Sequence, residues 1–162
     1  MSRLRLLKLL YIADRESLKE TGRTITADRA VAMEHGPVLS RTYNLIKGED
    51  AGSCEWSPYI VNISPLELEL RQPPGNGLLS VAEIKRLRCV VERFERLDDW
   101  SVANYTHTFP EWQKNQPTEE RKSRPIPLDD VLEAVGLLDA KESLLAEENA
   151  IRAFDDLLAT VA

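Results

Sequence analysis

The chain has 162 residues, enough for one domain around a single core and too few for two comfortable ones. With 43% apolar and 30% charged residues it reads as globular rather than disordered, and no apolar run approaches the ~20 residues that cross a bilayer. The net charge of -6 is unevenly placed: residues 1–50 carry nine Lys/Arg against seven Asp/Glu (+2), and residues 127–162 carry two against nine (-7). A nucleic-acid binder needs a basic stripe to displace counterions from phosphates, so this balance disfavours nucleic acid as a partner. An acidic tail suits a basic protein partner, or solubility alone. The leucine-rich start is interrupted by Lys8, and charges return from Asp14 onward without a small-residue cleavage site, which argues against a signal peptide. Cys54 and Cys89 are far apart and suit a reducing cytosol, so a cytoplasmic protein is expected.

Taken in order, Leu4, Leu7, Leu10, Tyr11 and Leu18 mark an amphipathic helix over residues 3–20, with Gly22 as its left-handed cap. Residues 24–33 read as extended, with Ile25, Ala27, Val31 and Met33 on one face. They lead into His35-Gly36-Pro37, where Pro37 is expected to open a helix that carries Val38, Leu39, Thr42, Tyr43 and Ile46 and closes at Gly48. Residues 56–71 alternate in a way that predicts a small antiparallel hairpin. Ser80 and Glu83 form a capping box that opens a helix with the stripe Ile84, Leu87, Val90, Val91, Phe94 and Leu97. A short helix through His107 follows. Residues 108–127, with four prolines, read as loop. Pro127 and Gly136 bracket a helix containing Val131, Leu132 and Val135, and Asp139 with Glu142 caps a last one with the stripe Leu144, Ile151, Phe154, Leu158 and Val161. The expected fold is mainly α (α+β): a compact helical domain with a small β-hairpin near residues 56–71 and a C-terminal helix.

The chemistry-bearing residues do not assemble into a catalytic kit. His35, His107, Cys54 and Cys89 show no metal-ligand spacing, Ser40 and Ser101 sit in no nucleophile-elbow sequence, and the glycines near Gly75 lack the strand and lysine of a phosphate loop. The reading is therefore no metal and no cofactor. A hydrolase using His35 or His107 as base is one alternative, and a phage-associated DNA-binding regulator another. His107 reads first as a histidine at a helix C-terminus, where the dipole favours a positive ring, and secondly as a neighbour of His35 and Trp112 in one pocket.

Leu9-Leu10-Tyr11-Ile12-Ala13-Asp14-Arg15, then Thr21-Gly22-Arg23, then His35-Gly36-Pro37-Val38 with Tyr43 downstream, and Thr106-His107 followed by Trp112, form an ordered set. In this order and spacing they resemble the Panacea domain of SocA-like antitoxins, over roughly residues 6–115. The resemblance implies a domain at residues 1–115, largely helical and lacking the family's usual first helix. Residues 116–162 are then a proline-containing loop and acidic C-terminal helices packed on the same domain. It also implies a non-enzymatic protein of a bacterial or prophage toxin–antitoxin module, which neutralises a cognate toxin by direct binding. Presentation of the toxin to the ClpXP protease, as a proteolytic adaptor, is a route known in the family. Motif-core or partner-binding candidates are Tyr11, Asp14, Arg15, His35, Gly36, Pro37, Tyr43, His107 and Trp112. Leu144, Ile151, Phe154 and Leu158 are candidates for docking on the toxin, on the domain itself, or on a second copy in a homodimer. In this light His35-Gly36-Pro37 reads mainly as a joint that fixes the extended run against the helices, with a partner contact second and catalysis third.

Overall fold

The leucine-rich segment becomes the spine of the molecule. In the computed structural model, which describes residues 1–144 and 146, it forms α1 (Arg3–Thr21), capped by the Ser2 hydroxyl at its start and by Gly22 (φ 74°) at its end. Helices α4 (Val81–Phe94), α5 (Asp99–Thr106) and α7 (Leu128–Val135) pack on it, as does strand β2 (Gly36–Leu39). α1 is thus buried around most of its circumference, and its buried residues include Lys8, Asp14 and Ser17 beside the leucines. This is why its apolar stripe looks interrupted in the sequence: the interruptions are interior residues with partners of their own.

After α1, residues 24–29 form an irregular loop and only Ala30–Met33 is a strand, β1. The sequence reading of a helix opened by Pro37 is corrected here. Gly36–Leu39 pairs with β1 as β2 of an antiparallel hairpin, Glu34 and His35 make the turn, and helix α2 (Ser40–Lys47) starts three residues after the proline. Proline lacks a backbone donor and fits a strand at a sheet edge as readily as a helix start; β2 is such an edge, since β1 pairs on its other side with a third strand, β5 (Ser123–Pro125), in the order β2-β1-β5. His35 therefore sits in a hairpin turn and not beside a helix N-terminus. At its N-terminus α2 has no side-chain cap from its own N-cap residue, Leu39. Asp28, from the preceding loop, accepts hydrogen bonds from the Arg41 N–H (2.9 Å), the Thr42 N–H (2.8 Å) and the Thr42 hydroxyl (3.0 Å).

A one-turn helix, α3 (Ser53–Trp56), leads into the expected hairpin, β3 (Ile60–Asn62) against β4 (Leu68–Leu70). The capping box at Ser80 and Glu83 is present at the start of α4. Of its stripe, Val90 and Phe94 are buried, Ile84 and Leu87 half-buried, and Val91 and Leu97 exposed. Asp98 caps α5, accepting from the Ser101 N–H at 2.8 Å. The proline-bearing stretch read as loop contains α6 (Pro110–Lys114) and β5 (Ser123–Pro125), the latter paired antiparallel with β1. Both are too short to show periodicity. α7 ends at Gly136 (φ 78°), a 3-10 turn covers Leu138–Ala140, and residues 141–144 are helical. Ile151, Phe154, Leu158 and Val161 lie outside the described residues. Among those residues no helix is long and apolar enough to cross a membrane.

Candidate functional site

The residues of the sequence motif meet around α1, on two sides of it. On one side the Lys8 amine, almost wholly buried, donates to the Pro37 carbonyl at 2.8 Å. Gly36, at φ 96°, lies hard against α5: a Cβ there would come within 2.5 Å of Thr106 Oγ1, 3.1 Å of His107 Cδ2 and 3.2 Å of Lys8 Nζ. His107 caps the C-terminus of α5, and its ring stacks on Trp112 at 4.2 Å with 10° between planes. The Trp112 indole N–H donates to the Met33 carbonyl at 3.1 Å, which ties α6 to the hairpin. His107 Nε2 is buried and has no hydrogen-bond partner among the described residues. Burial lowers the His107 pKa; the His35 backbone raises it, and the charges of Lys8 and His35 lower it further. The His35 ring itself is exposed and stands at 86° to the Trp100 ring with 5.0 Å between centroids, and Trp100 is 57% exposed.

On the other side a charged knot is closed inside the fold. Glu111, on α6, is 1% exposed and accepts from Arg15 Nε at 2.7 Å and from the Tyr11 hydroxyl at 3.1 Å. The Arg15 guanidinium also lies over the Phe109 ring, 4.3 Å from its centroid. Burial first, and then the Glu111 charge, raise the Tyr11 pKa well above its ordinary value, so the phenol keeps its proton. Asp14 accepts from the backbone N–H groups of Ile25 (2.9 Å) and Thr26 (3.0 Å) and from the Thr26 hydroxyl, pinning the loop after α1. Burial raises its pKa, while those hydrogen bonds act the other way.

The structure thus brings together Tyr11, Arg15, Gly36, Pro37, His107 and Trp112, with Asp14 beside them. Tyr43 stands apart, packed in a second cluster with Leu7, Val38, Ile46 and Leu68. Leu144 packs on the main core and rests against Gly22. Sequence reasoning missed Glu111 and Lys8. The only signals were a carboxylate between two aromatics in Phe109-Pro110-Glu111-Trp112 and a lysine inside a leucine run.

Lys8 has a measurable consequence. Burial brings its amine from 10.5 to about 7. Below about pH 7 the folded and unfolded chains both carry the proton, and the whole cost of burying that charge is present. Between 7 and 10.5 the unfolded chain binds more protons, so stability rises with pH as the cost fades. Lys8→Met is expected to raise stability at pH 6.5 by about 2 kcal/mol. The advantage disappears near pH 9.5, as read by urea unfolding at both values; a gap that stays constant with pH would refute it.

Arranged this way, the motif defines a class: a helix-centred α+β domain whose recurring polar residues are spent mainly on one another. Among the described residues no group of three His, Cys, Asp or Glu could hold a metal ion. The family described as antitoxin SocA-like, Panacea domain, matches residues 6–113, about two thirds of the chain. The chain belongs to that family, and an antitoxin role in general follows from it. No curated protein and no solved structure matches the chain.

Proposed function

We propose that this protein neutralises a cognate toxin by binding and occluding it, and that the outer face of the hairpin corner makes the contact. The observation that carries the reading is the division of labour within the motif. Tyr11, Asp14, Arg15, Gly36 and Trp112 are consumed inside the fold, while His35 is left exposed against an exposed Trp100. A half-naked tryptophan over a rigid turn is the kind of anchor that dominates binding energy at protein interfaces.

The test is co-expression with the product of the adjacent gene, followed by growth rescue, pulldown and measurement of toxin level. Trp100→Ala is expected to weaken binding by on the order of thirtyfold, equivalent to ~2 kcal/mol, and to abolish rescue. His35→Ala weakens it less. Neither variant changes the melting temperature appreciably, because both side chains lie on the surface. Toxin level stays constant during rescue; a fall would favour presentation to a protease such as ClpXP instead. Full rescue by Trp100→Ala would sink the assignment of this face.

A further inference from the structure

The β3–β4 hairpin is bare along one edge. The Arg71 N–H donates to the Tyr59 carbonyl at 2.7 Å and the Ile63 N–H to the Glu67 carbonyl at 3.1 Å. By the alternation of an antiparallel ladder, Val61 and Glu69 are the hydrogen-bonded pair between them, and the backbone groups of Ile60, Asn62, Leu68 and Leu70 point outward. On the β4 side the outward groups find partners: the Leu68 N–H donates to the Met1 carbonyl at 2.8 Å, and the Met1 amine donates to the Leu68 carbonyl at 2.9 Å. On the β3 side, the N–H and C=O of Ile60 and Asn62 have no partner among the described residues.

Beside this edge runs a groove of about 360 Å³, walled by Trp56 and Ile60 and by Asn62, whose side-chain amide is tied to the Ile46 carbonyl at 2.8 Å. Ser53 lines it too, and its buried hydroxyl has no hydrogen-bond partner. Trp56, Ile60 and Tyr43 all pack on the second apolar cluster, so the motif residue that stands apart from the hairpin corner supports this region instead. The charged residues of the lining are Lys47 and Arg71. Lys47 is paired with Glu49 at 2.6 Å, whereas the exposed Arg71 has no ion pair among the described residues. Glu55 on α3 and Glu69 on β4 are close in the chain but do not line the groove.

We propose that this edge takes up an extended segment of a partner protein as an added strand. The segment pairs its backbone with Ile60 and Asn62, sets an apolar side chain against Trp56 and brings a carboxylate to Arg71. An extended backbone is the occupant that fits, because unpaired N–H and C=O groups repeating along a strand edge are satisfied together only by another strand. A helix spends the same groups on itself. The three residues of β3 extend over about 10 Å, so the engaged segment is short. This surface is separate from the toxin contact proposed at His35 and Trp100, neither of which lines the groove.

The test uses the full-length chain, panned with a displayed library of peptides about seven residues long. Enriched peptides are expected to alternate β-branched or aromatic residues with polar ones, to carry an Asp or Glu, and to slow hydrogen exchange of the Ile60 and Asn62 amides on binding. Ile60→Pro removes an outward N–H without touching the ladder to β4, and weakens binding about tenfold. Arg71→Glu weakens it about fivefold. A fully N-methylated copy of the best peptide fails to bind wild type, which keeps the test independent of how well the proline variant folds. No enrichment, or peptides that bind equally well when N-methylated and to Ile60→Pro, overturns the proposal. So does binding that is lost in Trp100→Ala and kept in Ile60→Pro, since the peptide would then sit at the hairpin corner and support the toxin contact instead.

Discussion

Arg15→Ala is expected to cost about 3–5 kcal/mol of folding stability, a large share of what a domain of this size has. The reason is Glu111 rather than the arginine. Its side chain is wholly removed from solvent, and the two groups that hold its charge are Arg15 Nε and the Tyr11 hydroxyl. Removing the guanidinium leaves a buried carboxylate with a neutral phenol as its remaining side-chain donor, in a setting where water cannot take over. The truncation also takes away the packing of Arg15 on Phe109. Glu111→Gln added to Arg15→Ala removes the charge that the first change strands, so the double variant recovers more than half of the loss. A urea-unfolding double-mutant cycle measures this directly. If Arg15→Ala alone costs less than 1 kcal/mol, the knot does not hold α1 to α6 in the way described.

Gly36→Ala is expected to cost about 3 kcal/mol and to lower the melting temperature by roughly 10 °C. The positive φ accounts for part of this, since an L side chain at φ 96° is strained whatever the surrounding space. The rest comes from the neighbours. Thr106 Oγ1 is fixed by its own hydrogen bond to the Ala103 carbonyl at 2.7 Å, and His107 is clamped against Trp112, so neither can give way cheaply. Thr106→Ala should relieve the clash but not the φ strain, and so restore about half of the loss in Gly36→Ala. A melting temperature unchanged by Gly36→Ala would mean that the hairpin slides freely on α5.

What could be read from the sequence was what local chemistry decides. α1, α7, the box at Ser80 and Glu83 and the β3–β4 hairpin follow from spacing and caps that lie within a few residues of one another. The corner at Gly36-Pro37 was misread because a glycine and a proline serve a helix start and an edge strand equally well. What settles the matter is pairing with β1 and, through β1, with Ser123–Pro125 some ninety residues later. The same distance hid the charged knot. Glu111 becomes intelligible only when α6 is laid on α1, and Lys8 only when the hairpin carbonyl of Pro37 is in place. Within the candidate site, the motif gave the identities of Tyr11, Arg15, His107 and Trp112. It did not separate the residues that hold the fold from those that face outward.

The borrowed cap at Asp28 bears on how this part of the chain opens. An eight-residue helix has little standing alone, and α2 has its first amides tied to a carboxylate in the loop before β1. Helix, hairpin and loop therefore gain and lose order together as one cooperative unit. In hydrogen exchange the amides of Arg41 and Thr42 act as reporters of the loop that carries Asp28, and their protection measures whether the corner that bears His35 is closed.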